Sequence, residues 1–530
     1  MRALFPLGLT ITFNRLVTAL IVAVVIAAVT LGLLHGPWAI VAAVAVGLLA
    51  LTPVLLTWRG APLSQLLWGR VRRRVLAAEA GAESSDHRLR WTTTETAIRA
   101  DRFDLVAVVA VDGPSHSPSV LDHHQVQSAA TLPVNIVADA LRQFDVQLSG
   151  IDIVSAGHRR APASHHHYSD TYNGIIGDHS AVGQRRTWCV LRLNSFDNVA
   201  AIASRDSVAA TLAACAQRLA TELSAHRCPA RVVAGDELND IDVALLDGES
   251  FTARAGWSGL TTVTGTVASY SVSPGDITTA TLDRLWSPDT DATATTVQLR
   301  PASDGGVHIG ALVRYTTAAP QLRPPLTGLN PLSGRHDLAL RAGLVDPALP
   351  PVLAPQRLLD GDENLRSPIG STGIIVGSTR STGYPLLVPL ESADPAGTAT
   401  VTVAGDLALL VQIAQRSAAS GLRVAVVTRR PGPWRDANAP GLRVLRELPD
   451  QLPDNGRGMM VVYDQPQSNG PRAAVTVRAV DRGTASIADV HVEQDSNTTA
   501  VIRTDAFQYR INIDVRAERN QINASSRRVA

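Results

Sequence analysis

The chain has 530 residues and a formal net charge of +1, with 45% hydrophobic and only 4% aromatic side chains. That near-neutral balance argues against a nucleic-acid-binding surface, which needs a clustered excess of basic groups. All 48 basic residues are arginine, so a Walker-type phosphate loop, a Schiff-base lysine and a Ser-Lys dyad are excluded.

Two uncharged apolar runs, residues 16–34 and 38–56, open the chain. At ~1.5 Å per residue each forms a helix long enough for the ~30 Å hydrocarbon core. Neither has the polar face that a surface helix of a soluble domain requires. His35, Gly36 and Pro37 separate them and cannot continue a helix, so the pair reads as a transmembrane hairpin. A cleaved signal peptide is the competing reading, but the first run is too long for an h-region and a second span follows at once. Arg2 and Arg15 precede the hairpin and Arg59, Arg70, Arg72, Arg73 and Arg74 follow it, while the turn has no arginine. Arginines beside a span stay in the cytoplasm, which predicts a multi-pass inner-membrane protein with both termini cytoplasmic. Ala19, Ala23, Ala27 and Ala28 form a small-residue stripe on the first helix, and Ala39, Ala43 and Gly47 another on the second. One stripe is expected to pack within the hairpin and the other to face a partner in the bilayer.

Residues 59–90 read as a basic juxtamembrane helix and linker, with Leu63, Leu66, Leu67, Val71 and Val75 at helical spacing. A first cytoplasmic α/β domain is expected over 91–317. It has strands at 103–111, 146–154, 186–193 and 231–234, and helices at 133–144 and 198–226. This order, strand–helix–strand–strand–helix–strand, is the split βαβ pattern of ferredoxin-like sandwiches. A helix at 235–246, strand material at 257–272, a helix at 277–286 and a hairpin of 295–301 with 307–316 complete the domain. Prolines 320, 324, 325, 331, 347, 350, 351 and 355 then mark 318–365 as an interdomain connection.

The second α/β domain is expected over 366–515. Paired strands at 373–377 and 384–390 lead into a strand at 400–404, a helix at 406–417 and a strand at 422–428, a parallel right-handed βαβ unit. Short strands follow at 459–463, 474–480, 489–493 and 507–515. Residues 516–530 read as a frayed polar tail. The fold class is thus mixed α+β and α/β, two domains behind a two-helix hairpin covering residues 1–58.

Candidate chemistry is sparse. His165, His166 and His167, with His158, His179, His123 and His124, form the densest cluster. Zinc needs about four ligands at fixed geometry, whereas adjacent histidines point apart, so the loop 155–184 reads as solvated. Asp289, Thr290 and Asp291 match the D-x-D of sugar-nucleotide enzymes, but sit in a common Asp/Thr/Ala context. The glycines at 370, 373 and 377 lack the spacing of a dinucleotide loop. Gly405 and Asp406 precede a helix, where Asp406 reads as the N-cap. Cys189, Cys215 and Cys228 are too widely spaced for a C-x-x-C pair and read as buried thiols in a reducing compartment. No catalytic, cofactor-binding or metal-binding residue is assigned, and no cofactor is expected.

Several stretches carry a collective resemblance. TWCVLRLNSFDNVAAIASRDSVAATLAACAQRLATELSAHRCPARVV at 187–233 resembles the core of the EccE proteins, membrane components of the ESX (type VII) secretion systems of mycobacteria and related actinobacteria. SYSVSPGDITTATLDRLW at 269–286, ALVRYTT at 311–317 and PPLTGLNPLSGR at 324–335 are similar to the same family, giving an EccE-like core over 187–335. GLRVAVVTRRPGPW at 421–434 resembles its longer members, and the paired N-terminal spans fit it. The resemblance implies a non-enzymatic translocon subunit working with EccB, the EccC ATPase, EccD and the MycP protease, with the lipid bilayer as a further partner. The alternatives are a membrane-tethered transferase acting on a cell-envelope precursor and a free-standing scaffold unrelated to secretion.

Overall fold

The computed structural model describes the chain apart from residues 1–6, 10–12, 34–35, 37, 59–60, 65–74, 81–82, 123–125, 160–166, 249, 322, 351, 395–396, 438, 457, 466–469, 485–486 and 528–530. The two apolar runs form helices Phe13–Leu33 and Trp38–Leu55. At their base Leu7–Leu9 pairs antiparallel with Leu56–Trp58, which pairs in turn with Ala61–Pro62. The chain therefore enters and leaves the helix pair at one end. Most of the expected juxtamembrane helix lies outside the described residues. Its last part, Val75–Glu79, is instead a strand paired with Ser250–Ala255.

The first sheet runs in the order Val75–Glu79, Ser250–Ala255, Leu260–Thr261, Thr266–Ser271, Val307–Thr317, Ala292–Pro301, Gly150–His158, Arg186–Asn194, Asp104–Val111, Glu95–Asp101, Ser85–Arg88. Ala230–Val232 joins beside the second half of Asp104–Val111. The central strands alternate toward two separate cores, and the helices follow their apolar faces. Val208–Ala225 places Leu212, Ala216, Leu219 and Leu223 on one face, with Val134 and Val137 of the helix Val134–Asp139. Gly235–Leu246 places Leu238, Ile241 and Leu245 on the other, beside Val345.

Several boundaries move for local reasons. The helix expected at 198–226 starts afresh at Val208, where the Ser207 hydroxyl caps the Ala210 amide at 3.0 Å. The helix expected at 133–144 ends at Asp139, and Arg142–Gln143 turns back onto Val146–Gln147. The loop expected at 155–184 contains the end of a strand and the helix His167–Ile176.

Residues 318–365, expected as a connection, lie on the first sheet. Asn330–Pro331 pairs with Thr266–Ser271, and Arg357–Leu358 with Val307–Thr317. Between the prolines Leu326, Leu329, Leu332, Leu340 and Leu353 are buried. Prolines remove donors but leave carbonyls, and those need partners once covered. Buried arginines supply them. Arg192 donates to the Asp346 carbonyl through Nε and to the Leu344 carbonyl through a terminal nitrogen, both at 3.0 Å. Arg99 reaches the Val345 carbonyl at 3.1 Å while gripping Asp242 with both terminal nitrogens. Asp152, fully buried, accepts from Arg192 and, at 2.6 Å, from Arg300.

The second sheet is parallel over Leu442–Leu445, Arg423–Val427, Met459–Tyr463, Val475–Ala479, Ala399–Ala404 and Val490–Gln494. It continues antiparallel through Thr499–Thr504, Gln508–Asn512, Ile374–Thr379 and Pro385–Val388. The helix Leu407–Ala419 links Ala399–Ala404 to Arg423–Val427, with Val475–Ala479 and Met459–Tyr463 between them in the sheet. The sheet ends on Ser119–Leu121 and Val126–Ser128, contributed from far upstream. The tail expected to fray is the helix Arg516–Arg527. It is docked because Gln412 Nε2 donates to the Asp514 carbonyl at 2.6 Å and to Glu518 at 3.2 Å.

Two measurements test this account. Asp152→Ala would leave Arg192 and Arg300 buried without their shared counter-ion, which costs roughly 3–5 kcal/mol; thermal melting should drop sharply, and an unchanged melt would refute the role of the pair. His336 accepts the Ser269 amide at 3.0 Å on Nδ1, and its Nε2 lies 3.2 Å from the Trp257 carbonyl. Burial, helped by the Arg335 charge and opposed by the Trp257 bond, lowers its pKa from 6.5 to about 4. The unfolded chain takes up that proton first, so the stability contribution is complete above pH 6.5 and is lost as pH falls through about 4. The expected loss is on the order of 3 kcal/mol, read as a steeper acid decline in melting temperature for wild type than for His336→Asn.

Candidate functional site

Small residues decide how the helical hairpin closes. Ala19, Ala39 and Ala43 are buried, and so is Gly47. A Cβ placed on Gly47 would stand 3.5 Å from the Ala23 carbonyl oxygen and 3.8 Å from the Ala27 Cβ. The two stripes therefore face one another, where one had been expected to face a partner. Lipid tails are as apolar as leucine, so helices associate through close packing, and small residues permit it. Thr30 and Thr52 return their hydroxyls to the Ile26 and Leu49 carbonyls of their own helices, both at 2.7 Å. The outer face is left to Leu20, Ile21, Val24, Val25, Ile40, Val41, Val44 and Leu48, all exposed. This surface is long and apolar enough to cross a membrane on both helices.

Between the two sheets lies a cavity of about 740 Å³ lined by Val126, Ser128, Thr131, His179, Ser180, Asp283, Arg284, Leu326 and Pro368 among others. Arg185 closes the neighbouring wall. It donates to the Gly370 carbonyl at 2.7 Å and to the Pro368 carbonyl, and stacks 3.8 Å over the Trp286 ring. Burial raises the Asp283 carboxyl to about 6, opposed by the Arg185 charge and a Ser180 hydrogen bond. His179 Nδ1 sits 2.8 Å from the Ile176 carbonyl, and its buried Nε2 has no partner among the described residues.

A smaller cleft of about 100 Å³ gathers Asp112, His116, Arg186, Glu237 and Glu391. Burial pushes Asp112 up to about 6 against the Arg231 charge, and raises Glu391 against Arg186. Arg231 is shared by Asp112 at 3.1 Å, Glu237 at 2.5 Å and Asp394 at 3.7 Å. Asp112 and Asp283 keep their protons to a higher pH in the fold than in the unfolded chain. Their contribution is present at low pH and lost as pH rises through about 6, opposite in sign to that of His336.

The residues singled out in the sequence are dispersed. His123, His124, His165 and His166 lie outside the described residues, and His167 begins a helix. His158 faces Asp247 at 3.6 Å, and His179 lines the cavity. Among the described residues no three metal-binding side chains converge. Asp289 accepts from Asn173 at 2.7 Å, the Thr290 hydroxyl bonds Thr293 at 3.0 Å, and the Asp291 carbonyl accepts the Arg159 amide. That triplet joins a strand start to the His167–Ile176 helix. Gly370 offers its carbonyl to Arg185. Asp406 occupies the N-cap position without a side-chain cap, because its carboxylate accepts from Arg482 at 3.2 Å and Arg519 at 2.7 Å. Cys189, Cys215 and Cys228 are free and buried, and burial raises all three thiols, Cys215 to about 11 and Cys228 to about 12. Arg185, Ser180 and Asp283 carried no signal in the sequence, since nothing in their spacing marks a polar side chain for burial.

Residues 181–272 match the model of the EccE family, described as a type VII ESX secretion system translocon. The chain is 37% identical over 348 residues to the ESX-5 secretion system protein EccE5 of Mycobacterium marinum, covering 62% of this chain and 86% of the relative. Its Mycobacterium tuberculosis counterpart is 38% identical over 298 residues, covering 54% of this chain and 73% of the relative. The ESX-2 protein EccE2 of Mycobacterium tuberculosis is 28% identical over 69% of this chain and 67% of its own length.

The hairpin packing predicts a cross-link. The 3.8 Å between the Ala27 Cβ and a Cβ built on Gly47 matches the ~3.5–4.5 Å spacing of a disulfide. Ala27→Cys with Gly47→Cys should therefore oxidise in isolated membranes and lose thiol labelling; two thiols that stay labelled under oxidant would refute the packing.

Proposed function

The chain belongs to the EccE family and is a component of an ESX (type VII) secretion system; from that premise we propose that it is a non-enzymatic structural subunit held in the plasma membrane by its helical hairpin. The observation that carries this reading is the hairpin itself. Two helices long enough to span expose large apolar side chains along their outer face and close on small residues, with the segments entering and leaving the pair joined at one base. The arginines that flank the two apolar runs in the sequence support a cytoplasmic position for both termini and for everything from residue 59 onward.

The soluble part is read as a first α/β domain over 91–317, a proline-rich segment over 318–365 and a second domain over 366–515. A ferredoxin-like core in the first is supported by the strand order Ala230–Val232, Asp104–Val111, Arg186–Asn194, Gly150–His158, antiparallel throughout. The partners proposed are EccB, the EccC ATPase, EccD and the MycP protease, with energy supplied by EccC and shape by this chain. No finding supports the transferase alternative.

A truncation tests the anchor and a fusion tests the orientation. Removal of residues 1–58 should release a soluble protein absent from the purified membrane complex. A reporter active only outside the cytoplasm, fused after Ala530, should stay silent. Full recovery of the truncated chain in the complex would overturn the anchoring role, and a bright reporter would overturn the orientation.

A further inference from the structure

The second sheet has an edge that the proposed anchoring role does not use. It ends on Leu442–Leu445, whose only neighbour among the described strands is Arg423–Val427. The Val424 amide donates to the Gly441 carbonyl at 2.7 Å and the Thr428 amide to the Leu445 carbonyl at 3.0 Å. Backbone groups alternate along a strand, so Gly441, Arg443 and Leu445 face the sheet while Val444 turns its N–H and C=O to the open side. Free edges invite pairing, and proteins block those that are not meant to pair.

The short length of this edge and its arginines disfavour pairing with a second such edge and leave it open to a strand of opposite charge. The stretch 423–446 has six arginines and one acid, Asp436. Arg429, Arg435, Arg443 and Arg446 are exposed and have no ion-pair partner among the described residues. An open groove of about 480 Å³ lies beside the strand, lined by Pro431, Trp434, Arg435, Arg443, Val444 and Leu445 among others. Its wall is fixed from within. The buried Asp464 carboxylate accepts from the Thr428 hydroxyl at 2.7 Å, Arg430 Nε at 3.2 Å and Trp434 Nε1 at 3.0 Å.

We propose that the Leu442–Leu445 edge receives an extended acidic segment of a partner protein as an added β-strand. Strand addition takes affinity from main-chain bonds and specificity from alternate side chains. Val444 supplies the outward donor and acceptor, and the arginines select acidic residues. A second copy of this edge is disfavoured, because two rows of arginine would face each other. A flat anionic lipid surface would use the arginines but not the directional backbone of Val444. The inference does not depend on the membrane topology, since the second sheet carries it alone.

The test uses the full-length protein in detergent and a fluorescein-labelled decapeptide of alternating Glu and Val, read by anisotropy. A second peptide with the same acidic residues but proline at alternate positions cannot form a strand. Only the first peptide should bind. Arg435→Glu with Arg443→Glu should weaken it about tenfold or more, the scale of two exposed ion pairs lost and reversed. Val444→Pro removes the outward N–H while leaving the ladder to Arg423–Val427, as edge positions allow; it should abolish binding at an unchanged melting temperature. If Val444→Pro lowers the melt, the same peptide N-methylated at alternate amides replaces it and should fail to bind wild type. Equal binding of both peptides, absence of binding, or retention of binding by Val444→Pro would each overturn the proposal. Displacement of the first peptide from wild type by phosphatidylglycerol vesicles, together with equal binding of the two peptides, would overturn it in favour of a lipid surface.

Discussion

The two-sheet part of this molecule depends on guanidinium groups buried against backbone carbonyls. A buried charge is costly unless it is paired and hydrogen-bonded, and a covered carbonyl without a sheet partner is costly unless a donor reaches it. Each penalty is relieved by the other. Arg192 and Arg99 hold residues 344–346, Arg185 holds Pro368 and Gly370, and Arg314 reaches the Leu245 carbonyl. Arg159 gathers the carbonyls of Gly177, His179 and Trp286 and the Asn173 side chain. A planar fork with five donors can serve two or three carbonyls at once, which a lysine ammonium on a flexible stem does less well. The exclusive use of arginine in this chain suits that role, whatever its origin.

The same device joins the two sheets. Ile375 sits where the pairing of Ile374–Thr379 with Pro385–Val388 slips register between residues 375 and 377. Its amide donates to the Tyr172 hydroxyl at 2.9 Å and its carbonyl accepts from Arg416 at 2.6 Å. The irregular position thus has both backbone polar groups satisfied by side chains, one from the helix His167–Ile176 between two strands of the first sheet and one from the helix Leu407–Ala419. Leu121, Tyr172, Ile176, Ala181, Ile375, Leu387 and Ala419 fill the space around that junction as one apolar cluster.

What could be read from the sequence was whatever carried its own periodicity. The apolar runs, the helix Gly235–Leu246, the hairpin of Ala292–Pro301 with Val307–Thr317 and the strand Met459–Tyr463 all lie at or near their expected bounds. Edge strands escaped. Ser85–Arg88 has no large apolar residue, and Leu442–Leu445 is too short to show alternation. Residues 318–365 misled because prolines are conspicuous and the buried leucines between them are not. Arg516–Arg527 looked frayed because its docking rests on Gln412 and Glu518, polar groups that usually signal solvent. The clefts between the sheets were hidden for a related reason: Arg185 and Asp283 become neighbours through topology rather than spacing.

Ser119–Leu121 and Val126–Ser128 complete a sheet whose other strands begin at Ile374. During synthesis these upstream strands emerge long before Pro385–Val388 exists to receive them. Pairings between distant positions close late, since the intervening loop entropy opposes them until the partner is in place. The hairpin that these two short strands form with each other must therefore wait for its partner strand. The two sheets mature in sequence, and the second is not finished as an independent module, because its last hydrogen-bonded ladder uses strands from the first half of the chain.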